Sequence, residues 1–283
     1  MQKVTQNVTL RKYRILHSYG SHRVGVRCFV PAHACAPAPL GPTFPGLCDE
    51  GRASTKPSVE PTAIKTTWCA TAARAACAWV ARNGPVVPGK RAQKGVTRPR
   101  TEAPSALCGP FDDVEIPRGG LKTDWEVELG VVIGSKTKYV TPERALEHVA
   151  GYCVINDLSE RAFQLEGTGQ WVKGKSCDTF GPMGPYLVTR DEVPDPQNLH
   201  LWLEVDGRRF QDGNTKTMVF TVAFLVSYLS RFMSLHPGEV ISTGTPPGVG
   251  LGQKPEPIYL RAGQIMRLGI DGLGEQRQRT VAG

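Results

Sequence analysis

Asp124-Trp-Glu-Val-Glu-Leu-Gly-Val-Val-Ile-Gly134 is the stretch of this chain whose reading decides the fold. Alternate side chains of a strand point to one face, with i and i+2 roughly 7 Å apart along the backbone. Glu126 and Glu128 therefore share a face, while Trp125, Val127 and Leu129 turn the other way into apolar packing. Two converging carboxylates beside a packed face can hold a hard divalent cation. The same spacing also describes the wet face of an ordinary half-buried strand, so the motif alone does not choose between a site and a solvated surface.

Three later segments add to it. Gly151-Tyr-Cys-Val-Ile-Asn-Asp157-Leu-Ser-Glu-Arg161 is an apolar strand ending in a polar turn, with a third carboxylate, Asp157, at its end. Trp171-Val-Lys-Gly-Lys175-Ser-Cys-Asp178 opens a Gly/Pro-rich loop that presents a lysine. Ile241-Ser-Thr-Gly-Thr245-Pro-Pro-Gly-Val-Gly250 runs from a strand into a turn able to crowd backbone groups around a small ligand.

In type, order and approximate spacing these blocks resemble the fumarylacetoacetate hydrolase superfamily over about residues 106–283, and within it the bacterial 2,4-diketo-3-deoxy-L-fuconate and acylpyruvate hydrolases. The resemblance implies a β-rich, mixed α+β roll with a metal near one mouth, usually as a homodimer. It makes Glu126, Glu128 and Asp157 the metal ligands and Lys175 the catalytic lysine. It assigns Arg161, Gln164, Lys175 and Thr245 to the substrate. One departure lies inside the turn Ser159-Glu-Arg161-Ala-Phe-Gln164, where Ala162 stands in place of the family's acidic residue.

Three carboxylates favour Mg²⁺ or Mn²⁺, with Ca²⁺ as an alternative, over a zinc site built from His or Cys. The implied substrate is a small diketo or keto acid. The implied reaction is metal-dependent hydrolysis of a carbon–carbon bond in a β-diketo acid, an acylpyruvate or a diketo-deoxy sugar acid. Decarboxylation or isomerisation of a 2-keto acid is the alternative, and a catalytically dead homologue that binds metal and ligand is a third reading.

The resembling family carries a Gly-x-Asn-Tyr-x-x-His-x-x-Glu segment upstream, whose His and Glu activate water. Here the upstream histidines are His17, His22 and His33, and none has a Glu three residues later. His148, His200 and His236 fit surface or packing positions better than the role of a base. The dyad that the resemblance implies is therefore missing from its expected place.

Charge divides the chain at the same point. Residues 1–104 hold 16 Lys+Arg against Asp49, Glu50, Glu60 and Glu102, while residues 105–283 hold 18 against 22 acids. Residues 1–104 thus form an atypical basic segment rich in Ala, Pro, Arg and Cys, followed by a catalytic domain over 105–283. A nucleic-acid arm lacks interleaved aromatics and any named motif. A divergent folded domain has only Thr67–Arg82, a stretch of helix-forming composition, to support it. A disordered or frame-shifted segment fits the bias and the abrupt return at Ser105 best. A transit peptide suits its length and proline content poorly.

No apolar run reaches the ~18 residues of a membrane span. Eight cysteines without an export signal or a CxxC pair point to reduced thiols in a cytoplasmic protein, with Cys153 and Cys177 as packing residues. Neither nucleic acid nor membrane is expected as a partner. Within 105–283, Asp206-Gly207 between alternating strands predicts a hairpin, and Asp271-Gly272 a second. Val222, Leu225, Tyr228 or Leu229 and Phe232 recur at helical spacing, with His236-Pro237-Gly238 as the stop.

Overall fold

The computed structural model describes residues 101–283 continuously and, before them, the backbone of the strands Leu16–Tyr19, His22–Gly25, Thr66–Thr67, Ala78–Ala81 and Pro99–Thr101. In chain order the main strands are Thr66–Thr67 (β1), Ala78–Ala81 (β2), Pro99–Thr101 (β3), Val127–Ile133 (β4), Val149–Asn156 (β5), Gly181–Thr189 (β6), His200–Val205 (β7), Arg208–Asn214 (β8), Val240–Ser242 (β9), Ile265–Ile270 (β10) and Gly274–Ala282 (β11). The helices are Pro142–Ala145 (α1), Arg161–Leu165 (α2), Val172–Lys175 (α3) and Val222–Ser230 (α4).

One mixed sheet runs β1-β6-β5-β4-β9-β2-β3, with Leu107–Cys108 pairing alongside β6. A second, five-stranded sheet runs β8-β7-β10-β11 and ends on Val114–Ile116. The first sheet takes in strands on both sides of Ser105. The alanine-rich composition of Thr67–Arg82 suggests a helix, but Thr67 and Ala78–Ala81 are strand, β2 lying parallel to β9 and antiparallel to β3. Sheet partners outweigh a propensity worth only tenths of a kcal/mol per residue; residues 68–77 lie outside the described residues.

Every position of β4 and β5 is buried. Trp125, Val127 and Leu129 enter the main core with Leu203, Leu225, Leu268 and Ile270, as their facing predicts. The other face of β4 is not wet, because Glu126 and Glu128 are buried too. A strand covered on both faces must find partners for any charge it carries.

Both expected hairpins form. Asp206 and Gly207 have φ of 49° and 79°, the doubly left-handed turn that matches strand twist. Helix α4 begins at Thr221, whose hydroxyl accepts from Phe224 N, and it buries Val222, Leu225 and Leu229. Cys153 is fully buried, its thiol pushed up by burial, and Cys177 packs partly against the core. Among the described residues no helix is long and apolar enough to cross a membrane.

Candidate active site

The antiparallel pairing of β4 with β5 sets Ile155 opposite Glu128 and Asn156 opposite Val127. Asp157 follows as β5 ends, and its amide donates to the Glu126 carbonyl at 2.9 Å. This register carries the third carboxylate back onto the first two. Oxygens of Glu126, Glu128 and Asp157 all lie within 4.8 Å of one another, and all three residues are buried.

Two cations reach the cluster from the short helices. Lys175 Nζ lies 2.7 Å from Glu126 Oε2, 2.8 Å from Asp157 Oδ2 and 2.8 Å from the Asp157 carbonyl. Arg161 bridges Glu126 Oε1 at 2.6 Å and Asp124 Oδ2 at 2.7 Å, and also donates to Gln164 Oε1 at 3.0 Å. Lys175 is 1% exposed and Arg161 2%, so neither is a solvated surface cation. Gly174 makes the Lys175 approach feasible: a Cβ there would stand 2.5 Å from the Glu160 carbonyl and 2.6 Å from Gln164 Cβ. Helices α2 and α3 can touch only through a residue without a side chain.

Glu128 is held from the opposite side. It accepts from Ser242 Oγ and, at 2.7 Å, from Gly244 N. Gly244 has φ of 95°, the backbone state that turns its amide onto the carboxylate. Burial, reinforced by the Asp157 and Glu126 carboxylates, pushes the Glu128 pKa up to about 8. Asp124 is also raised by burial, with the Arg161 guanidinium opposing. Burial lowers the Arg161 pKa, but the Glu126 and Asp124 carboxylates outweigh it and raise the value overall.

The donor set fits a hard divalent cation. It offers only carboxylate oxygen, gathered from two strands. With all four carboxylates ionised, Asp124, Glu126, Glu128 and Asp157 face two cations, Arg161 and Lys175, which leaves two negative charges, the charge of one such ion. Burying that excess without compensation would be costly.

Thr245, which the sequence offers to the substrate through its hydroxyl or its backbone amide, has its hydroxyl engaged within the chain. Its hydroxyl donates to the Val127 carbonyl at 2.8 Å and accepts from Gln211 Nε2 at 2.7 Å, which ties the turn to β4. Sequence reading missed Asp124, Gln211 and Ser242. Asp124 had a signal, since it lies two residues before Glu126, the spacing of one strand face. It accepts from Arg161, from Gly250 N at 2.6 Å and from Leu251 N at 3.0 Å. Gln211, on the far hairpin, accepts from Val127 N at 3.0 Å and carries no local signature.

None of the described histidine side chains belongs to the cluster. His148 Nδ1 pairs with Ser135 Oγ at 2.8 Å, and His200 Nε2 pairs with Asp212 at 2.7 Å on the surface. The His-x-x-Glu spacing at His236–Glu239 is an exposed reverse turn, with Glu239 N on the His236 carbonyl and His236 N on Glu239 Oε2, each at 3.0 Å. The side chains of His17, His22 and His33 lie outside the described residues.

Residues 78–281 match the family described as fumarylacetoacetate (FAA) hydrolase, C-terminal. The chain belongs to this family. A Burkholderia cenocepacia protein provisionally named a hydrolase is 69% identical over 176 residues, 62% of each chain, so this chain spans about 62% of the length of such relatives. The fumarylacetoacetate hydrolase from psychrophilic Exiguobacterium antarcticum is similar at 38% identity and a TM-score of 0.68, over 74% of this chain and 76% of that one. A 2-hydroxyhepta-2,4-diene-1,7-dioate isomerase from Mycobacterium marinum is similar at 29% identity and a TM-score of 0.63, over 77% of each. These likenesses extend to hydrolases and isomerases alike.

Proposed function

We propose that the chain is a metal-dependent hydrolase that cleaves a carbon–carbon bond in a β-diketo acid, either an acylpyruvate or a diketo-deoxy sugar acid. The observation that carries this reading is the buried meeting of Glu126, Glu128 and Asp157 with Lys175 at 2.7 and 2.8 Å from two of them. The three carboxylates would hold Mg²⁺ or Mn²⁺, with Ca²⁺ as an alternative, and the ion would supply Lewis-acid polarisation of the substrate's oxygens.

The chain's own groups do the rest. Lys175 sets a fixed ammonium where negative charge develops as the bond breaks, in a dry environment where such charge stabilisation is strongest. Arg161 and Gln164, joined where the guanidinium donates to Gln164 Oε1 at 3.0 Å, are the groups assigned to the substrate carboxylate. Asp124 keeps the Arg161 fork in its plane. Thr245 holds the turn in place, which leaves its backbone to face the ligand. The protein is further proposed to act as a cytoplasmic homodimer on a small-molecule substrate, with no nucleic-acid or membrane partner.

A second reading within the family is decarboxylation or isomerisation. It is supported by the histidines, none of which among the described side chains stands at the cluster, and by the isomerase among the similar structures. Neither reaction needs an attacking water. A group acting as general acid or base typically contributes 10²–10⁴-fold, so without one hydrolysis would be slow or absent.

The test is Mg²⁺- and Mn²⁺-dependent turnover of acetylpyruvate and oxaloacetate by the purified chain, beside its Glu128→Ala variant. Metal-dependent cleavage of acetylpyruvate, lost in the variant, supports the hydrolase. Decarboxylation alone favours the second reading. Mg²⁺ binding without turnover of either substrate leaves a binding protein, and turnover unchanged in the variant removes the acidic cluster from catalysis.

A further inference from the structure

A cavity of about 170 Å³ is lined by the turn that holds Glu128. Gly244 belongs to both: its amide donates to Glu128 Oε2 at 2.7 Å, and the same residue lines the cavity with Thr243 and Thr245. The acidic side chains themselves do not line it, so the space adjoins the metal cluster without being part of it. A substrate held at the carboxylates has this cavity one residue away.

The chemistry of the walls is narrow. Leu201, Met218, Val219, Pro246 and Pro247 supply the apolar surface, and among the described residues no Lys, Arg, His, Asp or Glu lines the cavity. The polar side chains present are already engaged within the chain. Thr243 Oγ1 donates to the Leu129 carbonyl at 2.9 Å, and Thr245 Oγ1 to that of Val127 at 2.8 Å. Thr217 Oγ1 donates to the Asn214 carbonyl, and Thr215 Oγ1 accepts from Leu199 N, each at 2.9 Å. Asn214 Oδ1 accepts from Lys216 N at 2.9 Å, while its Nδ2 donates to Asn198 at 3.2 Å. A second carboxylate placed here would meet no cation among the described residues that line the cavity. A polyhydroxylated chain would leave water for a wall of mostly apolar surface, at a cost of roughly 1–3 kcal/mol for each polar group left unsatisfied.

We infer that this cavity receives the acyl chain of the substrate, which makes the preferred substrate an acylpyruvate with a neutral, apolar acyl group rather than a dicarboxylate or a sugar acid. The inference rests on the proposed diketo-acid reading and narrows it. The size sets an upper limit: an apolar cavity of about 150 Å³ accommodates a benzene molecule, so this one takes about six carbons. Each methylene moved from water into such a wall contributes about a fourfold gain in affinity or in kcat/KM.

The experiment uses the full chain with Mg²⁺ and a series of acetyl-, butanoyl-, hexanoyl- and decanoylpyruvate, with succinylpyruvate as the dicarboxylate. Specificity is expected to rise about fourfold per methylene up to roughly six acyl carbons and then fall, with succinylpyruvate far below butanoylpyruvate. Val219→Trp, at a position 62% exposed and so tolerant of bulk, is expected to collapse the ratio of hexanoyl- to acetylpyruvate. A flat series, a preference for the dicarboxylate, or a ratio unmoved by Val219→Trp overturns the inference and leaves the hydrolase standing. A parallel calorimetric titration with 2-oxobutanoate, 2-oxohexanoate and 2-oxooctanoate reads the cavity without turnover. If no acylpyruvate is cleaved but affinity still climbs with chain length and drops in Val219→Trp, the hydrolase reading fails and the cavity assignment stands. Chain-length-independent affinity, or no binding, overturns the cavity assignment as well.

Discussion

Arg161→Met probes the buried charge network while keeping most of the side-chain volume. Arg161 is 2% exposed and joins Asp124, which is fully buried, to Glu126, which is 4% exposed. The substitution leaves Asp124 with the amides of Gly250 and Leu251, at 2.6 and 3.0 Å, but with no cation. Breaking one side of a buried pair costs about 3–5 kcal/mol, because the remaining charge is left uncompensated. For a domain of this size each kcal/mol lowers Tm by about 2–4 °C, so a fall of about 6–20 °C is expected by calorimetry with chelator present. Adding Asp124→Asn removes the stranded charge. The double variant should therefore recover roughly 0.5–3 kcal/mol relative to the sum of the single changes. Mg²⁺ affinity should move the other way in the single variant, tightening as a competing cation leaves Glu126. A Tm within about 2 °C of the parent, or strictly additive double-variant energies, would refute the network as described.

In the chelated protein, the Glu128 pKa of about 8 lies above the ordinary 4.5, so the folded chain retains a proton that the unfolded chain has released. That stabilising term is complete below about pH 4.5 and is lost as pH rises towards 8, so Tm should decline across this window; Glu128→Gln should flatten the decline, and a flat profile in the parent would contradict it. Gly174→Ala, whose Cβ would meet the Glu160 carbonyl at 2.5 Å, is expected to cost about 1–3 kcal/mol of stability and to weaken Mg²⁺ binding by shifting Lys175; calorimetry on both properties checks it. A frame-shifted segment upstream of Ser105 is tested at the level of the gene. Translating the alternative frames of the coding nucleotide sequence there should reveal the missing His-x-x-Glu segment, and its absence from every frame would remove that account.

Local periodicity made a large part of the protein legible. The two-residue repeat of Asp124 to Leu129 assigns facing without any knowledge of partners, and Asp-Gly turns fix hairpins because few residues tolerate left-handed backbone. Helix α4 announced itself through its apolar spacing. What the repeat could not tell was that both faces of β4 are covered, which converts Glu126 and Glu128 from ordinary surface acids into buried ones.

The sequence by itself determined which residues were chemically suited to the site: three carboxylates, a lysine in a glycine-bearing loop, an arginine and a glutamine on one turn. Only the tertiary structure decided that they meet. The register of β4 against β5 returns Asp157 to Glu126, and the contact of α2 with α3 at Gly174 delivers Lys175 from 49 positions along the chain. It also recruited Gln211 and Ser242, drawn from distant strands, and shaped the cavity that Gly244 lines. The physical reason is that hydrogen bonding and burial between segments depend on sheet register and on close backbone approach. Both are fixed by the packing of the whole domain rather than by neighbours in sequence.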